Sequence, residues 1–197
     1  MVNSTISYAI KFIITSIVIG SILGLVGASA AHYFRVGIIL ISSSFSEIIN
    51  TSFGFFYYLI TLTIAVLTVH QVKKINSNKP FQGIADSIFY AHRPDNEADI
   101  KSGILSTFAA FISAGGGASV GQYGPLVHFG ATIGSWLKKK LSFNLSLDLY
   151  IGGGVAAAIS SGFGAPLAGV VFAHEAIMRH YSHKAILSIA IASCVAF

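Results

Sequence analysis

Charge is scarce in this chain. Charged side chains make up 10% of its 197 residues and hydrophobic ones 54%, against about 25% charged in ordinary soluble domains. Such a shortage excludes a typical soluble domain and points to a polytopic membrane protein. Cysteine is almost absent as well. Cys194 stands alone, which excludes a disulfide framework and a cysteine-based zinc site. The seven histidines lack the spacing of metal ligands, so no metal centre is expected. Glycine is plentiful, yet Gly-Lys-Ser/Thr is missing and the Rossmann spacing is too, which removes the nucleotide-binding readings. No nucleophile–base arrangement emerges, so neither an enzyme nor a cofactor is expected. A cleavable signal peptide is not evident, because the first apolar run is too long and further apolar runs follow.

Charge-free runs dominate what is present. They extend from Phe12 to Phe34, Ile48 to Val72, Ser102 to Leu137 and Leu149 to His174. Each can cross a hydrocarbon core, which takes about 20 helical residues. The third run is long enough for two segments. Basic residues sit at the ends of these runs, as in Lys73-Lys74 and Lys138-Lys139-Lys140. The net charge of +5 therefore reads as juxtamembrane anchoring, not nucleic-acid binding. An integral, multi-pass protein is expected, forming a single transmembrane domain over 1–197.

Along the chain, the first span runs from Phe12 to Phe34. Its Gly20 and Gly24 give a small-xxx-small spacing for close helix packing. Arg35 interrupts the apolar run, and Val36 to Ser46 either continues the helix at a tilt or lies in the interface. A second span covers Phe55 to Val72. The stretch 73–101 is the most polar and reads as a water-facing connection. It carries one short helix, Ile84 to His92, ended by Arg93-Pro94. Ile104 to Ala114 is a short apolar helix that runs into Gly115-Gly116-Gly117. A new helix starts at Gly124-Pro125, with proline in its first turn, and ends at the three lysines. Gly130 and Gly134 give it a close-packing face. Leu147 to Ile159 is a further short span. Small residues and Pro166 then open a helix to Met178, which repeats the earlier device. Paired hydrophobic segments broken by glycine and proline point to a binding site near the membrane midplane.

The stretch Gly115-Gly-Gly-Ala-Ser-Val-Gly-Gln-Tyr-Gly-Pro125 lies inside a charge-free run. Irregular backbone at membrane depth is tolerated only where it is buried in protein or lines a water-filled path. A helix that begins there aims free N–H groups and the positive end of its dipole into the membrane, which favours an anion. The plainer alternative is a glycine-rich packing corner.

Three segments carry a resemblance. They are the glycine stretch ending at Pro125, the following Leu126-Val-His-Phe-Gly-Ala-Thr-Ile-Gly134, and Gly154 to Glu175 with its Gly-Ala-Pro-Leu-Ala-Gly turn. In these the chain resembles the CLC family of chloride channels and chloride–proton exchangers. The resemblance implies an all-α membrane fold of short, interrupted, tilted helices, built as two inverted halves. The chain matches the first half, and its end within an apolar run reads as a truncated or fragmentary frame. Chloride or a similar small anion is the implied substrate, the lipid bilayer the surroundings and a homodimer the assembly. The helix after Pro166 and the terminal apolar segment would lie near the dimer interface. A plasma membrane or a bacterial inner membrane is the implied location.

The resemblance also assigns positions. The amides of Gln122, Tyr123 and Gly124 would face the outer anion, with Gly121, Pro125, Ala165 and Pro166 shaping the two helix starts. The family usually has a gating glutamate where Tyr123 stands. Tyrosine, with an ordinary pKa of about 10, stays neutral and cannot mimic chloride. It could donate its hydroxyl to the anion or block the path. The inner anion loop maps onto Phe81, Gln82 and Gly83, with Gln82 in place of a serine; its amide NH2 can still donate. Pro80 is the alternative start for the helix that follows. Glu175 matches the first of two usual acidic residues, and Ala176 falls at the second, the inner proton acceptor. His174 is a titratable neighbour, either a relay or a histidine satisfied by an adjacent helix. Anion transport without tight proton coupling is the expectation. A non-conducting remnant of such a transporter is the alternative.

Overall fold

A computed structural model describes residues 2–49, 54–93, 98–141, 143, 145–181 and 183–197. Among these residues the chain is helical and has no strand. Helix α1 spans Val2–Ile49, α2 Gly54–Ile75, α3 Ile84–His92 and α4 Ile100–Gly115. They are followed by α5 Tyr123–Lys140, α6 Leu147–Phe163, α7 Pro166–Phe172, a π-helical segment Ala173–Met178, and α8 His183–Val195.

Helix α6 is the centre of the fold. Every residue from Leu149 to Ser160 is buried, and α1, α5, α7 and α8 pack around it. Its composition explains the position, since the small residues Gly152, Gly153, Gly154, Ala156, Ala157 and Ala158 let neighbouring helices come close between bulkier side chains such as Tyr150 and Val155. Without a hydrophobic driving force between helices in lipid, small residues gain contact by letting backbones approach. The closest approach is to α5. A methyl group added at Gly130 or Gly134 would run into the carbonyl of Gly154 or Tyr150. Both glycines thus form the close-packing face expected of them. Gly20 and Gly24 do the same for α1, where an added methyl would lie 2.6 Å from the Ser188 carbonyl and 2.7 Å from that of Ala192.

The first two helices expose many large apolar side chains. Ile13, Ile17 and Leu25 of α1, and Phe55, Ile60 and Leu67 of α2, are open to the surroundings. So much exposed apolar surface suits hydrocarbon, not water. Stretches Ala9–Ser44 and Gly54–Ile75 are each long and apolar enough to cross a membrane.

The structure corrects several expected boundaries. Of the two readings for Val36 to Ser46 the helical one holds: α1 continues through Arg35 for 48 residues, roughly 70 Å at 1.5 Å per residue. The Arg35 guanidinium lies 3.4 Å from the Ser161 carbonyl of α6. Helix α4 starts at Ile100 and not Ile104, because Asp99 caps it by accepting from the Ser102 N–H at 3.1 Å. Helix α6 runs to Phe163, past the expected Ile159. The helix after Pro166 does not reach Met178 in one form but widens into a π-helix at Ala173. Pro80 does not open α3, which starts at Ile84 after an extended Gly83. The boundary of α3 at His92 agrees with expectation; Pro94 lies outside the described residues.

Candidate anion site

Backbone geometry builds the site first. Helix α4 closes at Gly115, and the Gly116 N–H returns to the Ile112 carbonyl at 2.8 Å. Gly117 then takes a φ of +93°, a conformation that suits glycine. Its carbonyl accepts from the Tyr58 hydroxyl at 2.7 Å, which ties the loop to α2. The chain re-enters a helix at Tyr123, whose cap residue Gln122 makes no side-chain capping bond. The first intrahelical bond of this start runs from Leu126 N–H to the Gln122 carbonyl at 3.2 Å. The first N–H groups of a helix have no intrahelical partner, so those of Tyr123 and Gly124 are offered outward, and Pro125 has none to offer.

This start divides two hollows. One, of about 600 Å³, is lined by Gly121, Gln122 and Tyr123 together with Ile38, Ser42 and Val120. The other, of about 330 Å³, is lined by Gly124, Pro125 and His128 of α5, Gln82 and Gly83 before α3, and Ser106 and Thr107 of α4. Tyr123 and Gly124, adjacent in sequence, thus face different spaces. Tyr123 is partly exposed and stacks on Phe163 at the end of α6, with ring centroids 4.0 Å apart at 21°. Its ring is therefore fixed beside the first hollow by an aromatic pair worth about 0.5–1.5 kcal/mol.

The second hollow joins the two segments that the sequence reading assigned to anion contact. Gln82 and Gly83 meet Gly124 and Pro125 around it, whereas Phe81 is exposed and is not among its lining residues. The donors of the inner loop are used within the protein. Gln82 N–H donates to Ser106 Oγ at 2.8 Å, and Gly83 N–H to Asp86 Oδ2 at 2.7 Å. Gln82 Nε2 donates to the Tyr90 hydroxyl at 3.3 Å.

Sequence reasoning passed over Ser106, Thr107 and His128. Both hydroxyls are turned back to their own helix, Ser106 Oγ to the Ser102 carbonyl at 2.6 Å and Thr107 Oγ1 to the Gly103 carbonyl at 3.0 Å. His128 is only 3% exposed, with Nδ1 2.9 Å from Ser87 Oγ and Nε2 without a partner among the described residues. A buried polar atom left unpaired costs about 1–3 kcal/mol. Histidine four residues after Gly124 shares its helix face, and that spacing was the available signal.

The second helix start is different. Ala165 and Pro166 line neither hollow. Ser193 Oγ of α8 lies 2.7 Å from the Pro166 carbonyl and Ser160 Oγ donates to the Ser193 carbonyl at 2.6 Å, which locks this corner into the core. Glu175 and His174 are also apart from the hollows. Glu175 is exposed and accepts from the Tyr181 hydroxyl at 2.8 Å. That bond holds the Tyr181 hydroxyl above its ordinary pKa. His174 is buried, with Nδ1 2.9 Å from the Val170 carbonyl and its ring stacked on Tyr181.

Comparison with solved structures defines the class. The fold matches that of a CLC-type fluoride/proton antiporter, with a TM-score of 0.74 and 21% identity, covering 95% of this chain and 45% of that one. The particular family follows from sequence: residues 61–197 match the family described as voltage gated chloride channel, and the chain belongs to it. Members of this family are membrane transport proteins. Among curated relatives, the H(+)/Cl(-) exchange transporter 7 of Mus musculus is 29% identical over 90 residues, 39% of this chain and 11% of that protein. A putative chloride channel protein, ClcB-like, of Ralstonia nicotianae is 29% identical over 103 residues, 50% of this chain and 24% of that one. The chain thus spans less than half the length of each of these three proteins.

Proposed function

We propose that this chain supplies one wall of an anion pathway, with the start of α5 as its binding element and Tyr123 as a gate that carries no charge. The carrying observation is the convergence of Gly124 and Pro125 with Gln82 and Gly83 on one hollow of about 330 Å³. Backbone N–H groups suit a small anion because they offer partial positive charge without a strong trap, and conduction requires release. Chloride, or a halide of similar size, is the substrate of this reading. Residues of the kind found in the part of the antiporter that this chain does not match would complete the wall.

Proton coupling needs a group that is charged in one state and neutral in the other near working pH. Tyr123 stands where the resemblance implies the gating glutamate, and Ala176 where it implies the inner acidic residue. Tyr123 acts by bulk, held against Phe163. Transport is therefore uncoupled from protons. The test is efflux of chloride from liposomes reconstituted with the protein, with external pH recorded alongside. The parent protein should release chloride and move no protons uphill, and Tyr123→Glu should make release rise on acidification. Uphill proton movement driven by chloride in the parent would sink the uncoupled reading. No chloride release from well-folded parent protein would favour the second reading, a non-conducting protein, which the internal use of the Gln82 and Gly83 N–H groups supports.

A further inference from the structure

We infer that Arg35 is the anion-attracting residue of this chain, its guanidinium drawing the ion into the hollow of about 600 Å³ beside Tyr123. This rests on the anion-pathway reading above. Neither hollow is lined by a Lys, Arg, Asp or Glu. Backbone N–H groups at a helix start hold an anion at contact, but their partial charge fades within a turn. Drawing an anion from a distance takes a full charge, and arginine carries a permanent one. Arg35 is exposed and lies within Ala9–Ser44, a stretch apolar enough to cross a membrane. A charged side chain in such a stretch faces a water-filled cavity or a partner, and marks an ion path by default.

Helix geometry places the charge. Ile38, Ile39 and Ser42 of α1 line the hollow. Arg35 stands three, four and seven residues before them, so it extends the same face by one turn. Helical side chains lean toward the N-terminus of their own helix, and the guanidinium reaches back to the Ser161 carbonyl of α6 at 3.4 Å. The next residue, Gly162, faces the gate, since a methyl group added there would lie 3.7 Å from the Tyr123 ring. Arg35 is therefore level with Tyr123 and the start of α5. Lys138, Lys139 and Lys140 lie a whole helix away, at the far end of α5. The Ser161 carbonyl takes one N–H of Arg35, the one bond of this side chain among the described residues. The other N–H groups of the guanidinium fork remain for a hydrated anion.

The competing role is structural, a cation closing the last turn of α6 through the Ser161 carbonyl. Charge-sensitive readouts separate the two. Chloride release from neutral-lipid liposomes is measured at low chloride for Arg35→Lys, Arg35→Gln and Arg35→Glu. Arg35→Lys should stay near the parent. Arg35→Gln should fall roughly threefold, the scale of one unit charge acting through water at close range, and Arg35→Glu roughly tenfold, for twice the change in charge. Both losses should shrink at saturating chloride, and at an ionic strength of about 1 M, where screening acts within about 3 Å. The parent alone gives a check without substitution. Its release at low chloride should fall as sodium gluconate raises the ionic strength, and a flat response would overturn the inference. Arg35→Cys in a Cys194→Ser background gives the readout that a cap would not move. A thiol reagent carrying a trimethylammonium group should restore release, and one carrying a sulfonate should depress it further. Adducts of either sign that behave alike would overturn the inference and leave Arg35 as a cap, as would unchanged release in Arg35→Glu. Well-folded parent protein that releases no chloride would overturn the pathway reading and the inference with it.

Discussion

The chain opens two helices after small residues and a proline, at Gly124-Pro125 and at Ala165-Pro166, and the two starts have opposite surroundings. Neither has a side-chain cap, but the α5 start borders two hollows. The α7 start is closed. Gly164 takes a φ of +64° to end α6, the Ala165 N–H returns to the Ser160 carbonyl at 3.3 Å, and Ser193 reaches the Pro166 carbonyl. Similar sequence devices therefore serve different ends. What decides is the partner across the gap: a hydroxyl on α8 for one, open space for the other. The two starts also touch, since Tyr123 of the first stacks on Phe163 of the helix leading to the second.

The largest expected effect comes from the scaffold that holds both starts. Gly134 faces the Tyr150 and Ile151 backbone of α6, which cannot yield as a side chain would. Gly134→Leu should cost about 3 kcal/mol or more, the upper range for overpacking. Purified protein should lose its single peak in size-exclusion chromatography, and both starts should fail together. A monodisperse, transport-competent Gly134→Leu protein would show that the α5 start does not depend on this crossing.

Separating the two starts is the next test. Ser193→Ala leaves the Pro166 carbonyl without its hydroxyl partner, which should cost about 1–2 kcal/mol of stability. Chloride release per folded protein should not change, because α7 borders neither hollow. Tyr123→Ala should do the reverse. It removes an aromatic pair of about 1 kcal/mol and the bulk of the proposed gate, so release should accelerate several-fold. If Ser193→Ala altered release as much as Tyr123→Ala, the two starts would be one functional unit and the contrast would fail.

Much of this frame was legible in the sequence, and what was hidden has physical reasons. Glycine spacing announced the close-packing faces of α5 and α1, though not their partners α6 and α8, because close approach tolerates no side chain. Arg93-Pro94 marked the end of α3. Helix α1 was harder to bound, since the carbonyl that Arg35 reaches, Ser161, lies 126 residues away. The widening at Ala173–Met178 has no composition signal. The two proline starts could not be told apart, because Ser193, which closes one of them, lies 27 residues beyond Pro166. His128 was hidden in the same way. Its neighbours are apolar, and its partner Ser87 is 41 residues away.

A third helix start sharpens the contrast through its charge. Helix α4 is capped by Asp99, whose Oδ2 accepts from Lys79 Nζ at 2.7 Å and whose Oδ1 accepts from Ser102 N–H. Hydrogen bonding from Lys79 first, then from the Ser102 amide, lowers the Asp99 carboxyl to a pKa of about 2, below the ordinary value of about 3.9. A carboxyl with a lowered folded pKa stabilises the fold above its unfolded pKa and loses that contribution as pH falls through the folded one. Asp99→Asn keeps an oxygen acceptor but not the charge. Its thermal midpoint should lie slightly below that of the parent at pH 6, and the gap should close between about pH 4 and pH 2. The effect is small because the Lys79 partner is exposed and screened. Added chloride at constant ionic strength should leave this gap unchanged, since the α4 start already holds its own anion, a carboxylate. Chloride should instead act at α5, where the helix start has none. A gap that closes with chloride would mean that the ion competes at α4 and that an uncapped start is not what selects the site.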